Sequence, residues 1–171
     1  MYRAELHNSL FKPWIEIVPI RVGPVPTGAG SPGIYVTVEH DETPFARIDV
    51  WPLSPGPFTQ ALVWKNFVFL GWNDQVHIVD LISRNVKSIE CEGYFGGVYP
   101  ADDHLLIADA HRLIKINERG ELIWESVTVG IDGVVVDGVR DGEILGQGEW
   151  DPPGGWRPFR LSLESGQLTT R

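Results

Sequence analysis

Apolar residues along this chain fall in short runs, such as the stretch from Ile34 to Val38 and the stretch from Leu113 to Ile116, broken every few residues by glycine or proline. No window sustains a helical period over the ~11 residues a helix assignment needs, so the pattern predicts strands throughout. Predicted strands cover 14–20, 34–39 and 45–51, then 59–64, 67–72, 76–80 and 86–90. They continue at 97–100, 105–109, 113–117 and 122–125, and finish at 133–137, 144–148, 159–163 and 167–170.

The runs repeat. Shifted by 37 residues, Val68-Phe69-Leu70 lies on Leu105-Leu106-Ile107, Val76 on Leu113, Val79-Asp80 on Ile116-Asn117 and Val86 on Ile123, without a gap. Apolar positions in register across two hairpins indicate one structural unit used twice, because a one-residue slip would turn every side chain to the other face. A related end-turn recurs at 38–45, 79–86, 117–122 and 163–168, which makes four units of about 37–46 residues, near 1–53, 54–92, 93–130 and 131–171. Gly120 and Gly166 stand where these turns want a residue tolerant of positive φ.

Leu105-Leu106-Ile107-Ala108, followed by Leu113 through Asn117 and the Gly120-to-Trp124 ending, resembles one blade of the quinoprotein-like or WD40-like β-propellers. The resemblance runs most closely over 59–126, lacks the Gly-His and Trp-Asp pair of WD40 repeats, and shows Trp124 in one unit only. It implies a fold and carries no site residues with it. The expected class is therefore all-β and antiparallel, a single domain of about four propeller-like four-stranded units, with a β-sandwich or a half-propeller completed by dimerisation as the alternatives. Monomer and homodimer both stay open.

At 171 residues, with 43% hydrophobic positions, the chain is long enough to bury a real core. Fourteen Lys and Arg against 23 Asp and Glu leave a net charge of −9 with no basic run, which excludes nucleic acid and anionic membrane as expected partners. Cys91 is the one cysteine, so intrachain disulfides and multi-cysteine zinc sites are excluded. No stretch approaches the ~20 apolar residues of a membrane helix. A cytoplasmic protein without a cofactor or metal is the expectation.

If each unit runs as an up-and-down meander, the connections between second and third strands emerge at one end of the sheets together with the crossings between units. These connections are 21–33, 72–75, 109–112 and 148–158. Long loops on a rigid sheet are where binding residues collect. The candidate binding residues are accordingly Trp72, Asn73 and Asp74, then Asp109 and His111, then Trp150, Asp151, Trp156 and Arg157, on a face that also carries Arg112. The two Trp flanking Pro152-Pro153-Gly154-Gly155 suit an aromatic platform for a peptide, a sugar or a cation, and equally suit folding back over the sheet end. Ring closure would bring Trp150 or Trp156 toward 24–32.

Other chemistry is thin. The Gly- and Pro-rich 22–33 segment is no phosphate loop, because no Lys-Ser/Thr or helix follows and its prolines remove amides. His104 and His111 fall at opposite ends of one predicted unit, and His77 lies inside a strand. No hydrolase elbow, zinc helix or dinucleotide fingerprint is present. The function these residues favour is a non-catalytic protein- or peptide-binding module. The alternative is a small-ligand or carbohydrate binder, with or without hydrolase activity, centred on Trp150 and Trp156.

Overall fold

The computed structural model describes residues 1–24, 30–51, 56–101 and 103–169. The chain divides into two compact units, Met1–Ile89 and Glu90–Arg171, and the strands form four small sheets. The described residues contain no α-helix; one 3₁₀ turn spans Trp14–Glu16.

In the first unit, β1 (Tyr2–His7), β2 (Ile20–Val22), β3 (Ile34–His40) and β4 (Thr43–Val50) form a sheet of order β1-β3-β4-β2. This corrects the expected meander. The predicted strand at 14–20 is mostly absent: Pro13 and Pro19 bracket a segment that makes the 3₁₀ turn and buries Trp14, and only β2 is extended. β2 lies parallel to β4, with Val22 beside Val50, whereas the other two pairings of this sheet are antiparallel. The sheet's fourth strand is β1, whose Tyr2, Ala4 and Leu6 turn inward while Arg3 and Glu5 stay out. β2 and β3 are therefore not neighbours in the sheet, and the hairpin expected between second and third strands is not formed by them.

β5 (Thr59–Trp64), β6 (Phe67–Trp72), β7 (Gln75–Asp80) and β8 (Val86–Glu90) form the second sheet in simple sequence order. Val36, Val38, Ile48 and Val50 of the first sheet meet Val68, Leu70, Val79 and Leu81 in the core of this unit. Alternation in the strands is the reason: every second side chain faces the neighbouring sheet.

The second unit starts with another meander, β9 (Phe95–Ala101), β10 (His104–Asp109), β11 (Leu113–Asn117) and β12 (Leu122–Glu125). Phe67 pairs with Asp80 in the second sheet, and His104 with Asn117 in the third, so the 37-residue repeat is a repeat of strand register. β13 (Val134–Arg140), β14 (Glu143–Glu149) and β15 (Trp156–Ser162) make a sheet of three. The predicted strand at 167–170 shrinks to one bridge between Leu161 and Leu168, flanked by the Ser162-to-Gln167 and Thr169-to-Arg160 backbone bonds of 2.8 and 3.0 Å. Its last residue, Thr170, lies outside the described residues. Leu106, Ala108 and Leu113 pack on Val134, Ile144, Phe159 and Leu161 to form this unit's core.

The recurring end-turns have a shared mechanism. Asp80, Asn117 and Ser162 each open one, and each side-chain oxygen accepts backbone N–H groups inside its own turn, at 2.8 Å from Ile82, 2.9 Å from Arg119 and 3.3 Å from Ser165. Gly120 and Gly166 adopt φ of 70° and 69°, as the turn pattern predicts, with Arg84 at 61° in the corresponding place. The 38–45 turn differs: Asp41 and Glu42 are both left-handed and make a two-residue hairpin.

Candidate functional site

In the second unit three connections are laced together at one end of its two sheets. The carbonyl of His111 accepts the N–H of Val129 at 2.8 Å and of Gly130 at 3.2 Å. Gly133 donates to the carbonyl of Ala110 at 2.8 Å, while Ile131 donates to that of Glu149 and Glu149 to that of Gly133, at 2.7 and 2.9 Å. The β10–β11 turn, the crossing at 129–133 and the start of the β14–β15 hairpin are thus one hydrogen-bonded platform. A side chain at Gly148 would sit 1.7 Å from the carbonyl oxygen of Val129, so only glycine permits this closeness.

Asp109 is the internal anchor of the platform. Its fully buried carboxylate accepts the N–H groups of His111 and Arg112 at 2.8 Å and of Glu92 at 2.9 Å, and Arg112 Nε donates to it at 3.3 Å. Four donors consume its acceptor capacity, and Asp109 shapes the turn without presenting a face to solvent. Arg112 is held as well, between Asp109 and Glu125. His111 is half-buried, with Nδ1 3.4 Å from Glu92. Among the described residues no three His, Cys, Asp or Glu side chains converge as a metal site would require.

Trp156 projects from the platform. Its ring lies over Gly133, where an added Cβ would be 3.1 Å from Cη2, and the indole remains 41% exposed. Ile131, close by on the crossing, is 46% exposed. Tyr94 Oη donates to the carbonyl of Asp132 at 2.6 Å, and burial with the nearby Asp132 charge raises its pKa above the ordinary phenol value. Tyr94, Ile131 and Asp132 were not among the sequence candidates. The meander rule sends the crossings between units to the same end as the hairpins, so that signal was available for 129–133.

Trp150 takes a different place. It is half-buried, with its backbone N–H donating to the carbonyl of Gly155 at 3.0 Å, and it lines a cleft of about 590 Å³ with Leu145, Arg157, Pro158, Phe159 and Leu168. No ring contact joins Trp150 to Trp156 among the described residues, so the two indoles serve separate surfaces. Asp151 is exposed at the hairpin tip and receives Gly155 N–H on its backbone carbonyl at 3.0 Å.

The first unit brings together Trp72, Asn73 and Asp74 with Gly23, Pro24 and Trp51 around a space of only about 20 Å³. That is room for about one water. Asn73 has φ of 54° and donates to Asp74 at 3.0 Å, in keeping with a tight turn. His77 lines the same space, buried, with Nδ1 2.7 Å from Ser88 Oγ. The expected meeting of the 21–33 and 148–158 loops falls in part on residues 25–29, outside the described residues. Among the described residues no helix is long and apolar enough to cross a membrane.

No protein-family model matches the chain, and no curated protein matches it. Solved structures do. The chain is similar to BamB from Moraxella catarrhalis, with a TM-score of 0.55 and 11% identity over 87% of this chain and 47% of that one. It is similar to hydrazine synthase of Kuenenia stuttgartiensis, with a TM-score of 0.52 and 16% identity over 80% of this chain and 42% of that one. AztD from Citrobacter koseri matches with a TM-score of 0.51 and 16% identity, over 82% and 42% of the two chains. The chain spans less than half of each of these structures. The neighbours are propeller-like proteins, and the four small sheets here are propeller-like units.

Proposed function

We propose that this protein is a non-catalytic binding module that takes a protein or peptide segment at the loop end of its second unit. The observation that carries the reading is the exposed Trp156 indole, seated on Gly133 beside exposed Ile131. An apolar aromatic centre with polar groups beside it, here Asp132 and the Tyr94 hydroxyl bonded to it, has the composition of an interaction hot spot. The ring is also pre-positioned, so its ordering cost on binding is small. Asp109, Arg112 and Tyr94 spend their polar groups on building the platform, which favours recognition over acid-base chemistry at this end.

Selection from a displayed random-peptide library tests this. Peptides recovered on the wild-type protein should weaken about tenfold or more on Trp156→Ala and on Ile131→Asp, as hot-spot truncations do. They should be indifferent to Leu122→Ala, an exposed apolar residue outside the platform. Peptides that ignore both platform variants would sink the reading.

A further inference from the structure

The cleft beside Trp150 is a second surface, separate from the Trp156 platform, and its chemistry points to a different occupant. Its volume of about 590 Å³ lies within the ~300–1,000 Å³ range of small-molecule sites. Leu145, Pro158, Phe159 and Leu168 supply an apolar lining, and Trp150 an aromatic wall. Two guanidinium groups, Arg157 and Arg160, also line it. Arg160 is neutralised by Glu143 at 3.1 Å, and Glu143 also accepts from Thr169 Oγ1 at 2.7 Å. Arg157 is exposed and has no ion pair or side-chain hydrogen bond among the described residues. In a chain with 23 acidic and 14 basic side chains, an exposed arginine that lines an apolar cleft without an acidic partner among the described residues suits an anionic ligand.

We propose that this cleft binds a small amphipathic monocarboxylate, its apolar body against Phe159 and Trp150 and its carboxylate on Arg157, which shares the Phe159 face of β15. A guanidinium fork matches a carboxylate in bidentate geometry. Asp137, which also lines the cleft, sets a limit on the charge: a dianion such as a phosphate monoester would meet this carboxylate, whereas a single charge placed at Arg157 need not. Asp137 is partly occupied, accepting from Gln147 Nε2 at 3.4 Å.

Isothermal titration with octanoate and its uncharged amide, octanamide, separates charge recognition from plain apolar adsorption. The wild-type protein should bind octanoate at one site, about tenfold tighter than octanamide, the preference a partly exposed charge-assisted pair supports. Arg157→Gln should erase the preference and leave octanamide binding unchanged, Arg157→Lys should retain part of it, and Trp150→Ala should weaken both ligands. Far-ultraviolet circular dichroism confirms that each variant is folded. Octanoate binding that survives Arg157→Gln undiminished, equal affinity for acid and amide, or no heat at millimolar octanoate would each overturn the proposal. Because Trp156 does not line the cleft, Trp156→Ala should leave octanoate binding intact, so this test and that of the peptide platform fail independently.

Discussion

His77 shows what a β-sheet core does to one titratable group. β7 carries its imidazole inward opposite Leu70, and burial pushes its pKa below the ordinary 6.5. The unfolded chain therefore takes up the proton at a higher pH than the folded protein does. Stability from this residue is complete above about pH 6.5 and is lost as pH falls through the depressed folded value. Thermal melts between pH 7 and pH 5 should show a midpoint that drops on acidification, with a visibly shallower drop in His77→Gln. An identical pH profile in the variant would show that this imidazole is not the group responsible.

At the scale of the element, the end-turns separate two reasons for glycine. Gly120 is needed for its left-handed backbone, at φ of 70°. Gly166 has the same conformation and also lies under Trp124, where an added Cβ would come within 2.7 Å of the indole. The turn is clamped there as well: the carbonyl of Leu163 accepts Lys115 Nζ at 2.8 Å and Trp124 Nε1 at 3.3 Å, and burial lowers the Lys115 pKa. Gly166→Ala should cost about 2 kcal/mol or more by urea denaturation, because steric overlap with the indole adds to the ~1 kcal/mol backbone penalty of a left-handed position. A cost of only about 1 kcal/mol would mean that the Trp124 ring yields freely.

Over the whole molecule, the excess of acidic side chains sets the sign of the long-range electrostatics. A net charge of −9 favours solubility and opposes compactness through self-repulsion, which salt screens over a Debye length of about 10 Å at 0.1 M. Raising sodium chloride from about 10 to about 150 mM should therefore raise the melting midpoint. A fall would instead show that local pairs such as Arg112 with Asp109 and Glu125, or Arg47 with Asp49, outweigh the global repulsion.

Local features are legible in the residues alone: strands in most of the runs, the 37-residue register of the second and third sheets, the end-turns and the glycines at 120 and 166. Each is set by neighbours a few residues apart, through period-two alternation and the φ a turn demands. Tertiary structure decided what depends on distant partners. β1 is short, with Ala4 as its middle inward residue, and becomes a strand because the edge of β3 is there to receive it. β2 gains its place by pairing parallel to β4, a choice that alternation leaves unspecified. Of the last predicted strand, the described residues keep one bridge at Leu168 with backbone bonds at Gln167 and Thr169, all made to β15. Trp150 and Trp156, alike as residues and six positions apart, go to a cleft and to an exposed platform because Gly133 leaves room for one ring and the β15 edge shelters the other. Which ring stays exposed is decided by the missing Cβ of a residue on another strand's approach, and no local pattern encodes that.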